Sequence, residues 1–81
     1  MMTKRELHDE FWLLTKSILQ DSRIDFDETK VLKRWLEEHQ RENLFDVEID
    51  KLNGFLANGY IGRIEAPAVI DIIGNVIARL K

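Results

Sequence analysis

The stretch ILQDSRIDFDETKVLKRWLEEH, residues 18–39, decides the fold. It reads as the end of one helix, a tight acidic turn, one inward isoleucine at Ile24 and a second helix. Asp25 stands where an N-cap is expected, with Glu28 at the reciprocal position of a capping box. A fainter copy follows as FLANGYIGRIEAPAVIDIIGNV, residues 55–76. An offset of 37 residues sets Leu19 on Leu56, Asp21 on Asn58, Ile24 on Ile61, Glu28 on Glu65, Leu32 on Val69 and Leu36 on Ile73. Each unit is helix, tight turn, inward isoleucine, helix. Neither can cover its own apolar face, so the two are expected to pack face to face. Ile24 and Ile61 are expected to meet in a short bridge between the turns, as the loops of paired EF-hands do.

Working outward, Thr3 and Glu6 also have capping-box spacing and predict a helix from about Lys4. Leu7, Phe11, Leu14 and Ile18 form its stripe, with Trp12 and Leu19 on one flank and Leu13 on the other. The second helix should run to about Gln40 and bury Val31, Leu32, Trp35, Leu36 and His39. Residues 40–45 read as a connection, after which Asp46, with Asn43 in competition, should cap a third helix. The stripe of that helix is Phe45, Ile49, Leu52 and Leu56, and Asn58-Gly59 should end it, glycine being suited to the left-handed position after a helix. Pro67 belongs in the first turn of a fourth helix, which predicts a start near Ile64 or Glu65. Its apolar positions are Val69, Ile70, Ile73, Val76, Ile77 and Leu80, with Ile72 off to one side. Ile70 and Ile72 pointing to different sides leaves open whether this arc completes the core or makes a homodimer. The expectation is an all-α fold: four helices in two tandem helix-turn-helix, degenerate EF-hand-like units at about 4–40 and 46–80, in a single domain over 1–81.

The composition limits the function. Eighty-one residues support one core, and 44% hydrophobic with 33% charged residues is a globular balance. Cysteine is absent, which excludes disulfides and thiolate zinc sites. The N-terminal MMTKRELHDE is polar, and no apolar run is long enough for a membrane span, so a cytoplasmic location without membrane association is expected. A net charge of −3 favours neither a strong nucleic-acid binder nor an extreme acidic mimic of DNA.

The acidic turn lacks the chemistry of a calcium loop. Counted from Asp21, position 3 is Arg23, position 6 is Phe26 and position 12 is Leu32, where calcium requires an oxygen ligand, a glycine and a carboxylate. Capping accounts for Asp21, Asp25, Asp27 and Glu28, and neither metal nor cofactor is expected. The two histidines, His8 and His39, fall on different helices with no nucleophile placed beside them, so no enzymatic constellation is visible. His39 is expected to complement the C-terminal end of the second helix.

Two features point to partners. Trp12 lies off the main stripe, as a surface anchor would. Lys30, Lys33, Arg34 and Arg41 form a basic strip on the outer face of the second helix. A helix-turn-helix protein would use such a helix on DNA. Glu37 within the strip and Glu38 and Glu42 beside it weaken its field, and the face has no asparagine or glutamine to read bases. Arg34 with Glu38, and Glu37 with Arg41, have the spacing of helix-internal ion pairs.

The run LQDSRIDFDETKVLKRWLEEH resembles a bacterial and phage helical module with the signature leucine, Asp-Gly, isoleucine, acidic turn, leucine, Trp-Leu, Glu-His, followed by a second similar unit. Matching positions are Asp21, Ile24, Glu28, Leu32, Trp35, Leu36, Glu38 and His39, then Leu56, Ile61 and Glu65, over about residues 11–77. The Asp-Gly pair is replaced by Asp21-Ser22 and by Asn58-Gly59. In longer bacterial proteins the module precedes a BRCT domain, so the resemblance implies a setting in DNA metabolism and transfers no catalytic residue. The expected function is a small non-enzymatic interaction module, phage- or prophage-associated, that binds and inhibits or adapts a host protein. The alternative is a weak nucleic-acid-binding helix-turn-helix protein.

Overall fold

The computed structural model describes residues 3–81. Among them are four α-helices and no strand: α1, Lys4–Asp21; α2, Phe26–His39; α3, Asp46–Ala57; and α4, Glu65–Leu80. The fold is all-α, as its periodicity predicts.

The starts of α1 and α2 are fixed by side chains. The Glu6 amide donates to Thr3 Oγ1 at 3.2 Å, and the Thr3 amide to Glu6 Oε1 at 3.0 Å. The Glu28 amide donates to Asp25 Oδ1 at 2.7 Å, and the Asp25 amide to Glu28 Oε1 at 3.2 Å. Each N-cap stabilises its helix by about 1 kcal/mol. Helix α3 differs from expectation, because neither Asp46 nor Asn43 caps it through its side chain. Phe45 holds the N-cap position with its ring fully buried, and Gln40 Oε1 accepts from the Phe45 amide at 3.0 Å. Burying the ring outweighs placing a capping side chain there. Helix α3 ends at Ala57 with Gly59 at φ 82°, as Asn58-Gly59 predicts. Pro67 stands in the first turn of α4, where its missing amide leaves no bond broken.

The offset of 37 residues recurs in backbone detail. Ser22 and Gly59 both take left-handed conformations, at φ 53° and 82°. The Gly62 amide donates to Glu65 Oε2 at 3.0 Å, as the Asp25 amide does to Glu28. The Thr29 amide bonds to the Asp25 carbonyl and the Ala66 amide to the Gly62 carbonyl, both at 3.0 Å. The bridge expected between the turns does not form, since neither Ile24 nor Ile61 has strand or bridge conformation. The two residues line one cleft beside the turns instead.

Helix α1 packs on α4, α4 on α3, and α3 on α2, while α1 meets α2 through side chains, Glu10 and Phe11 against Trp35. All four helices feed one core. Its aromatic centre is Trp35, with Phe11 at 5.0 Å and Phe45 at 6.3 Å between ring centroids, both tilted at 50°. The looser packing of α1 on α2 than on α4 corrects the expected faces. Val31, expected inside, is 52% exposed, because it stands at the border of two clefts, one beside Leu14 and Ile18 of α1 and one beside Leu56 of α3. Ile72, expected to one side, is buried in the core cluster, as α3 packs on that flank of α4. The argument for a dimer face on α4 loses Ile72 accordingly. His39 is only half-buried. Thr15 and Thr29 are fully buried, their hydroxyls donating to the carbonyls of Phe11 at 2.9 Å and Asp25 at 2.8 Å, which removes the cost of burying them.

Candidate functional site

The inward set Thr29, Leu32, Trp35 and Leu36 fixes the rotation of α2. Helical spacing then turns Lys30, Lys33 and Arg34 outward, towards the α3 side. There they line an open cleft of about 580 Å³ between α2 and Leu56 of α3. Phe26, Val31 and Leu56 supply its apolar surface, and Asp27 and Glu37 its two acids.

The three cations are held differently. Lys30 Nζ lies over the Phe26 ring, 5.6 Å from its centroid. Lys33 pairs with Glu37 at 3.5 Å. Arg34 has no hydrogen bond or ion pair among the described residues, so the expected pair with Glu38 does not form. An unpaired guanidinium beside half-exposed apolar side chains is suited to a planar carboxylate or phosphate.

Arg41 departs from the expected strip. Helix α2 ends at His39 and Gln40 is its C-cap, so Arg41 lies in the following turn, its carbonyl accepting from the Leu44 amide at 2.9 Å. It is not among the residues lining the cleft. Nor is Trp12, which sits on α1, 45% exposed, beside the more exposed Leu13. The structure therefore gathers three of the five expected contact residues at one place.

Two polar constellations were not legible in the sequence. Glu10 of α1 accepts from Trp35 Nε1 at 2.9 Å and lies 3.2 Å from His39 Nε2. The His39 ring stacks on Trp35 with centroids 4.2 Å apart, and its Nδ1 lies 2.9 Å from the Trp35 carbonyl. His39 thus joins α2 to α1 as well as standing at a helix end. Glu10 gave no signal, because its partners are 25 and more residues away. In α3, Glu48 is buried and pairs with Arg79 Nε of α4 at 2.6 Å, while its Oε2 is buried without a partner among the described residues. Arg79 also reaches the Leu44 carbonyl at 3.3 Å. Glu48 shares a helical face with Phe45 and Leu52, and that spacing was the available signal.

Among the described residues His8 meets only the neighbouring Asp9, at 3.3 Å. No three His, Asp or Glu side chains among the described residues form a metal-binding group. Compared with known proteins, the chain matches no family model, no curated protein and no solved structure, so its resemblance to the BRCT-associated module rests on the sequence pattern.

Proposed function

We propose that this chain is a non-enzymatic protein-interaction module that contacts its partner through the α2–α3 cleft, with Trp12 as a separate surface anchor. The observation that carries the reading is the unpaired Arg34 beside Lys30, Lys33 and the apolar side chains of Phe26, Val31 and Leu56. Apolar contact area with a polar rim is the usual anatomy of a protein interface. Both histidines face structural partners, which supports the non-enzymatic half of the proposal. The sequence resemblance supports a phage- or prophage-associated protein that binds and inhibits or adapts a host protein, with DNA metabolism as the setting. A cytoplasmic site of action belongs to the same proposal; no helix among the described residues is long and apolar enough to cross a membrane. We read residues 4–40 and 46–80 as degenerate EF-hand-like units without calcium, a reading supported by the pairing of α1 with α4 and α2 with α3.

A second reading, weak nucleic-acid binding, draws on the same three cations. A phosphate backbone leaves the apolar side chains of Phe26, Val31 and Leu56 among these cations without contact, and this ranks it second. Affinity capture from host lysate at moderate salt, with and without nuclease, tests both. A stoichiometric protein partner that survives nuclease and is lost with Arg34→Glu and weakened by Trp12→Ala supports the module. Capture indifferent to both substitutions rejects these contacts. Recovery that vanishes with nuclease and falls steeply with salt moves the assignment to nucleic acid.

A further inference from the structure

We infer that the α2–α3 cleft receives an acidic amphipathic helix of about three turns from a protein partner, an inference that rests on the interaction-module reading and names the chemistry of the partner. The charge balance sets the sign. Lys33 is matched by Glu37 at 3.5 Å. Asp27 stands in the first turn of α2, where the helix dipole already favours a carboxylate. Lys30 and Arg34 remain as surplus positive charge, one turn apart on the same face, on a chain whose net charge is −3. A partner with carboxylates one turn apart meets both, and Arg34 can take one of them bidentately.

The apolar surface sets the form. Phe26, Val31 and Leu56 offer contact to leucine-sized side chains between the cations. Residues 26–37 of α2 line the cleft, a rise of about 16 Å, which a partner helix of about 11 residues would span. A peptide binding as an added strand would need a sheet edge for its backbone hydrogen bonds, and the described residues contain no strand. A helix brings its own backbone satisfied and presents side chains at i, i+3 and i+4 into the groove. A nucleic acid would use the cations without using the apolar contacts of Phe26, Val31 and Leu56.

The test titrates the isotope-labelled chain with three probes and follows its amide spectrum. The probes are an 11-residue leucine–glutamate amphipathic peptide, the same peptide with lysine for glutamate, and a short duplex DNA. The expected result is binding of the acidic peptide with shifts centred on residues 26–37 and Leu56. Neither other probe should bind there. Arg34→Glu should weaken the acidic peptide by about tenfold or more, and Val31→Asp should weaken it as well. Both positions are solvent-exposed, so unchanged melting temperatures will separate lost binding from lost folding. No shift up to about 1 mM acidic peptide, shifts confined to another surface, or preferential binding of the lysine peptide or DNA overturns the inference. Failure with all three probes while a nuclease-resistant, Arg34-dependent partner is still captured from lysate overturns the acidic helix and leaves the module standing. Loss of that capture as well overturns both.

Discussion

Ser22 and Gly59 occupy the same point of the two turns, and the serine carries a Cβ into a backbone region that glycine enters freely. A left-handed conformation costs an ordinary L-residue about 1–2 kcal/mol, and glycine returns part of the gain as extra freedom in the unfolded chain. Ser22→Gly is therefore expected to stabilise the protein by about 0.5–1 kcal/mol, which raises the melting temperature by roughly 2–8 °C for a domain of this size. Thermal denaturation followed by circular dichroism checks it, and an unchanged or lower midpoint rejects strain at Ser22. Glu48 gives a second case at this scale. Its carboxylate is buried and Arg79, itself partly in solvent, is its counter-ion. Removing one partner of such a pair costs more than replacing both by apolar groups. Arg79→Met is expected to cost about 1–3 kcal/mol, and adding Glu48→Met to it should recover part of that loss. Urea unfolding of the single and double variants decides, and strictly additive losses would show that the charges do not depend on each other.

Among the elements, α2 and α4 begin with the same reciprocal bond, from Asp25 to Glu28 and from Gly62 to Glu65. Only α2 has the other half of the box, because Gly62 has no side chain to return the bond. The Glu65 amide should exchange with solvent faster than the Glu28 amide by about tenfold, the equivalent of one N-cap of about 1 kcal/mol or somewhat more. Amide exchange by NMR measures this directly, and equal protection would mean that the missing cap is replaced. The helices themselves were legible from the sequence, since apolar spacing and capping residues are local signals. Which flank of a helix meets a neighbour was not. Val31 was placed inside and is exposed, and Ile72, whose side was left open between core and dimer, is core, because their burial depends on how loosely α2 packs on α1 and on α4 meeting α3. Lys30, Lys33 and Arg34 follow from the rotation of α2 and were legible. Arg41 was not, because α2 stops at His39, and Gln40, its C-cap, bonds forward to Phe45. Arg34 as the cation left unpaired was likewise invisible, since spacing offered it Glu38.

For the whole molecule, the decisive fact is that the closest packing runs from α1 to α4, α4 to α3 and α3 to α2. The first helix is completed by the fourth, and the core takes in Leu80 in the last turn of α4, 1% exposed. Leu80→Ala is expected to cost about 2–5 kcal/mol, against a total of about 4–12 kcal/mol for a chain of this length. Denaturant unfolding should place its midpoint far below that of the parent. A loss under about 1 kcal/mol would show that the last turn of α4 is loosely held. This order also bears on how the chain leaves the ribosome. Leu7 and Phe11 emerge first, but α4, which covers α1, is made last of the four helices. Until α4 is made, α2 can cover the stripe of α1 only in part, through Trp35 on Phe11, and the rest stays open to chaperones or to a neighbouring nascent chain. Folding should therefore come late and abruptly, once residues near 80 are free to pack on α1.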